Sequence, residues 1–124
     1  MPRTVVKVDV KKLPWEQETP LHNRWHEEIP VVASVKEGEV FRVECIDWTG
    51  GQIKNDDSSD DVKNVDLSQV HYLSGPIAVE NCEPGDLLKV EILNLGALEG
   101  DEWGFTGTYS TYIYVYIYIY IYIY

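Results

Sequence analysis

The sequence lacks an apolar leader. Its opening stretch, MPRTVVKVDVKKLPWEQ, is basic and then amphipathic, without the hydrophobic centre of a secretory signal, so the expected location is cytoplasmic. Positive charge is scarce: 10 Lys and Arg stand against 21 Asp and Glu, for a net charge of -11. Such a surface repels phosphates, which argues against a nucleic acid or an anionic membrane as partner. Cysteine is nearly absent. The 2 that occur, Cys45 and Cys82, match no zinc spacing and are expected to be reduced and buried. Charge is missing altogether from Gly107 to Tyr124, so the whole acidic excess sits on residues 1–106.

What is present suits one small domain: 124 residues, 44% hydrophobic and 25% charged. Thr4 to Val10 alternates, with Thr4, Val6, Val8 and Val10 on one face and Lys7 and Asp9 on the other, the pattern of a half-buried strand. Pro14 to Pro30 is expected to be irregular, with at most a helical turn at HNRWHEE. Val31 to Ile46 reads as two strands joined at Lys36-Glu37-Gly38-Glu39, the second facing Phe41, Val43 and Cys45 one way. A long Gly, Asp, Asn and Ser-rich connection follows, DWTGGQIKNDDSSDDVKNVDLSQ. Then come GPIAVE, the turn EPGD and an alternating strand, LLKVEIL. KEGEVFRVE and EPGDLLKVE share a turn-then-strand register, either as ordinary turns or as two equivalent corners of one sandwich or barrel. The expected architecture is mainly β.

The chain closes on TYIYVYIYIYIYIY, from Thr111 to Tyr124. As a strand it would run about 46 Å with no charge, proline or turn. That is the composition of a steric zipper without gatekeepers. It is too short and too rich in tyrosine for a membrane helix. A TA dinucleotide repeat, read as TAT and ATA codons, encodes the Tyr-Ile alternation, one A-to-G change gives Val115, and Gly107-Thr108-Tyr109 can be encoded across an intron donor. Residues 1–107 are therefore expected to be the N-terminal part of a longer domain, and 108–124 a low-complexity Tyr/Ile run of translated intron.

Several residues could carry chemistry. Asp47 is placed at a strand end before Gly50-Gly51, where small residues admit a ligand; the plain alternative is a carboxylate that caps its own turn. Gln52 could bond an amide or carboxylate. His71 precedes a turn and Glu80 follows a short strand. Asp47, His71 and Glu80 converging on a divalent metal ion would activate water, although no H-E-x-x-H spacing supports this and His71 equally suits a buried structural role. The run Asp56, Asp57, Asp60, Asp61, Asp66 suggests calcium but lacks the Gly and closing Glu of an EF-hand, so a solvated loop is the plainer reading. His22 and His26 at i, i+4 lack an evident third ligand. Cys82 with His71 as base is a further nucleophile arrangement.

The phrases LHNRWHEEIP, IDWTGGQIKNDDSSDDVKNVDLSQVHYLSGPI, EPGDLLKVEIL and WGFTG closely resemble the acetamidase/formamidase family, its formamidase branch in particular, across nearly all of residues 1–107. One departure is Asn81-Cys82, where the family tends to carry two small residues. The resemblance implies a β-rich fold with sandwich character, a homo-oligomer, and hydrolysis of small aliphatic amides, here formamide to formate and ammonia in nitrogen scavenging. It implies longer chains than this one, and for some members a divalent metal ion, zinc or calcium. Carried over, Asp47 and His71 would hold the ion or orient water, Glu80 would serve as base or further ligand, and Gln52 or the Gly50-Gly51 amides would steady the oxyanion. The alternatives are a non-catalytic truncated isoform, inactive alone, and a β-rich binding module with an acidic loop.

Overall fold

The computed structural model describes residues 1–111 and 114–118, with side chains described for residues 1–107. Tyr112, Ile113 and the end of the Tyr/Ile run, 119–124, lie outside the described residues. The chain is mainly β, as expected. Its order is β1 (Arg3–Val6), a 3-10 turn (Pro14–Glu16), β2 (Ala33–Val35), β3 (Phe41–Val43), α1 (Ser59–Asn64), β4 (Ile77–Val79), β5 (Gly107–Thr111) and β6 (Tyr114–Tyr118). The contacts divide it into two units, Met1–Gly51 with Leu67–Lys89, and Gln52–Asp66 with the described residues from Val90 on.

In the first unit β1 pairs parallel with β3, Arg3 opposite Phe41 and Val6 opposite Val43, with an irregularity between Thr4 and Val6. β2 pairs parallel with β4, Ala33 opposite Ile77 and Val35 opposite Val79. β2 and β3 are joined by the expected turn, yet they go to different sheets. A parallel partner must arrive by a long crossover, so sequence neighbours need not be ladder neighbours. The core is Val6, Val8 and Leu21, with Val5, Val43, Ile46, Tyr72 and Ile77 packed against it. The predicted alternation thus holds at Val6 and Val8. It ends there because Asp9 turns the chain, accepting Lys12 N–H on its carbonyl and Lys11 N–H on its carboxylate, which leaves Val10 exposed. Gln17 plugs this turn from the inside. Its Oε1 accepts Asp9 N–H at 2.8 Å, and its Nε2 lies within reach of the carbonyls of Asp9, Lys12 and Leu13.

The two corners seen in the sequence are equivalent as turns. Glu39 N–H donates to Lys36 C=O and Asp86 N–H to Glu83 C=O. Each acid also accepts the first residue's N–H on its carboxylate, Lys36 to Glu39 at 3.0 Å and Glu83 to Asp86 at 2.8 Å. Gly38 and Gly85 supply the positive φ at the third position, 72° and 105°. The strand half of the repeat is not shared. β3 follows the first turn, whereas Leu87–Leu93, expected as a strand, lies outside the six strands and is exposed. HNRWHEE makes a single turn, with Ile29 N–H on His26 C=O, and no helix. Cys45 and Cys82 are unbridged and, against expectation, exposed: β3 ends at Val43, and Cys82 falls in the turn after β4.

The second unit contains α1, capped by Ser58, whose side chain accepts Asp60 N–H, with Asp60 and Asp61 at its positive end. β5 and β6 form an antiparallel pair, Gly107 opposite Tyr118 and Thr111 opposite Tyr114. Gly107 faces Val62 of α1. No helix among the described residues is long and apolar enough to cross a membrane.

Candidate active site

After β3 the chain turns sharply at Asp47-Trp48-Thr49-Gly50-Gly51, and the Asp47 carboxylate organises that turn. One oxygen accepts Thr49 N–H at 2.8 Å and also the Thr49 hydroxyl; the other accepts Gly51 N–H at 2.8 Å. Gly50 N–H donates to Asp47 C=O. Thr49 is fully buried. Gly50 has φ +70°, and a Cβ there would stand 3.0 Å from Pro14 and 3.1 Å from the Tyr72 ring. The glycine is needed both for its backbone and for the close approach.

This turn holds His71. Trp48 C=O accepts His71 N–H at 2.7 Å, and the Trp48 and His71 rings lie 5.4 Å apart, tilted 32°. His71 is exposed and has φ 60°, a left-handed conformation uncommon outside glycine that the surrounding bonds must sustain. Asp47 and His71 therefore share one neighbourhood, joined through Trp48. Glu80 sits in the turn after β4, exposed, its N–H on Val35 C=O at 2.8 Å. The next residue, Asn81, has φ 62°, which its short amide tolerates better than most side chains. Gln52 belongs to the second unit, where its amide forms a reciprocal pair with the Asp66 backbone: Oε1 accepts Asp66 N–H at 2.8 Å and Nε2 donates to Asp66 C=O at 3.2 Å.

The metal expectations meet a simple test of donor geometry. Among the described residues, no three of His, Cys, Asp and Glu are grouped to hold an ion. Asp47 is turned into its own turn. In the acidic run, Asp56 caps Ser58 N–H and Asp61 accepts Lys54 N–H. His22 Nδ1 is bonded to Arg24 C=O, and His26 Nδ1 accepts Glu28 N–H. Among the described residues these donors are engaged in their own turns rather than gathered as a ligand set. Trp48, Thr49 and Gln17 are the residues that sequence reasoning missed. Only Thr49 carried a signal, the Asp-x-Thr spacing of a side chain folded onto its own turn.

By class this is a mainly β chain whose polar residues are carried on turns beside parallel strand pairs. It belongs to the acetamidase/formamidase family, whose model matches residues 7–115. It is similar to a formamidase of Methylophilus methylotrophus, 58% identical over 108 residues, which is 87% of this chain and 26% of the relative. It is similar also to an acetamidase of Mycolicibacterium smegmatis, 50% identical over 117 residues, 89% of this chain and 29% of that one. Among solved structures, a gamma lactamase from Delftia acidovorans aligns with a TM-score of 0.63 at 52% identity, over 67% of this chain and 20% of that one. The chain thus spans about a quarter of the length of the relatives it matches.

Proposed function

We propose that the chain carries part of the machinery of a small-amide hydrolase acting on formamide, with water as second substrate and formate and ammonia as products. The observation that supports this is the 58% identity to a formamidase across 87% of the chain. In this reading His71 is the group best placed to move a proton. It takes one from water as the oxygen attacks the carbonyl carbon, and returns it to nitrogen as the carbon–nitrogen bond breaks. Asp47 acts by holding the turn that holds His71, since three donors already engage its oxygens. Glu80 is the second carboxylate of the reading. The Gly50-Gly51 turn is its candidate oxyanion donor, and the Gly51 N–H would have to leave Asp47 to serve. A cytoplasmic site of action and a homo-oligomer complete it.

The experiment is a chimera in which this chain replaces the matching quarter of the Methylophilus relative, alongside the chain alone. Ammonia release from formamide by the chimera is expected, and its absence would overturn the activity. In the chimera His71→Ala is expected to lower turnover by roughly 10²–10⁴-fold; unchanged turnover would remove His71 from the chemistry. A second reading, a chain without turnover of its own, is favoured by the 26% coverage of the relative and has silence of the chain alone as its expected result.

A further inference from the structure

His71 lies on a stretch of the first unit whose backbone is fixed from both sides. Asn23 Nδ2 donates to Ser68 C=O at 3.1 Å. Leu73 N–H donates to His22 C=O at 2.7 Å, and His22 N–H returns to Leu73 C=O at 3.4 Å. The Ser74 hydroxyl donates to Glu44 C=O at 2.7 Å. Between these anchors His71 N–H donates to Trp48 C=O at 2.7 Å. Together they sustain the left-handed backbone of His71, φ 60°. With the backbone set, the freedom that remains is rotation of the imidazole about its side-chain bonds. A proton carrier works only when its ring nitrogens face the atoms that exchange the proton.

We infer that Trp48 is a positioning residue for His71: its indole lies against the imidazole and holds it in the rotamer from which it moves a proton. The inference rests on the assignment of proton transfer to His71. Trp48 holds His71 by two separable contacts. One is the backbone carbonyl, which any residue at this position supplies. The other is the ring, 5.4 Å from the imidazole between centroids and tilted by 32°, the separation of an aromatic pair in contact. The indole can set an orientation because its own base is rigid. The Asp47 carboxylate accepts Thr49 N–H and Gly51 N–H on either side of the turn, and Thr49 is fully buried. Gly50 is closely packed by Pro14 and Tyr72. In this role Trp48 neither gives nor accepts a proton. An imidazole released from the indole leaves formamide its other contacts, so the loss falls on kcat rather than on KM.

The test has a spectroscopic arm and a kinetic arm. In the full chain, labelled at its 3 histidines, the His71 ring protons are assigned by their loss in His71→Ala. They are expected to be displaced by the indole ring current, to return toward free positions in Trp48→Leu, and to stay displaced in Trp48→Phe. Trp25→Leu, the same change at a ring 90% exposed, should not move them. In the chimera Trp48→Leu keeps the carbonyl and removes the ring. It is expected to lower kcat roughly 10- to 100-fold with KM for formamide little changed. Trp48→Phe should recover most of that loss. Trp48→Leu combined with His71→Ala should be no slower than His71→Ala alone, because the indole acts only through the imidazole. Ring protons that ignore Trp48→Leu, a Phe variant as slow as the Leu variant, or losses that add in the double variant would each overturn the inference. Turnover lost in His71→Ala but intact in Trp48→Leu overturns it alone. Turnover untouched by His71→Ala instead overturns the proton-transfer assignment, and the role of Trp48 in turnover with it.

Discussion

Gln17 shows how much one buried side chain can organise. Its amide serves Asp9 twice and reaches the carbonyls of Lys12 and Leu13, closing the turn that ends the buried face of β1. Gln17→Leu keeps the volume but strands these groups, and is expected to cost about 1–3 kcal/mol in thermal or urea unfolding. A change under about 0.5 kcal/mol would mean that water replaces the amide. Nothing in Trp15-Glu16-Gln17-Glu18 announces this role, because a glutamine among acids reads as solvent-facing until the turn around it is known. Glu39 is the contrasting half-buried case. The Lys36 N–H, and then the Arg3 guanidinium at 2.8 Å, hold its carboxyl below the ordinary glutamate range. A depressed carboxylate contributes stability above its unfolded pKa and loses it as pH falls through the folded one. An NMR titration should therefore place the Glu39 midpoint below that of a free glutamate, and Arg3→Ala should move it upward.

At the scale of elements, alternation located strands well and partners poorly. Val6 and Val8 are buried as their spacing required, and β2, β3 and β4 fall where the apolar runs are. That β1 seeks β3 and β2 seeks β4, both parallel, was not legible, since no local pattern encodes a crossover partner. Leu87–Leu93 has a clear strand pattern and no place among the six strands, because alternation states a preference that only a neighbour can satisfy. The site was legible in part. Asp47 and His71 meet around Trp48, whereas Gln52 serves the second unit's own loop. The site turn offers a graded test. Gly50 and Gly51 both have positive φ, but only Gly50 is crowded. Gly50→Ala is expected to lose more than about 1 kcal/mol, and Gly51→Ala distinctly less, by urea unfolding. Equal losses would show that packing against Pro14 and Tyr72 is immaterial.

On the scale of the whole molecule, the balance between buried and exposed apolar groups is unusual. Among the described residues the first unit buries Val6, Val8, Pro14, Leu21, Val35 and Val70 and the second Ile53, while Trp15, Trp25 and much of Leu87–Leu95 face outward. So small a core leaves each member decisive. Leu21→Ala is expected to cost about 2–5 kcal/mol, a large part of a typical domain's total, and to erase the near-ultraviolet circular dichroism at room temperature. Retention of that signal with an unchanged melting temperature would place the stabilising contacts elsewhere. The parallel pairings also set a schedule for biosynthesis. Arg3 waits for Phe41 and Ala33 waits for Ile77, so on a ribosome adding roughly 5–20 residues per second each early strand remains without its mate for seconds. During that interval Val5, Val6 and Val8 of the nascent chain are without Val43, Ile46, Tyr72 and Ile77, the later-made residues that pack against them in the fold.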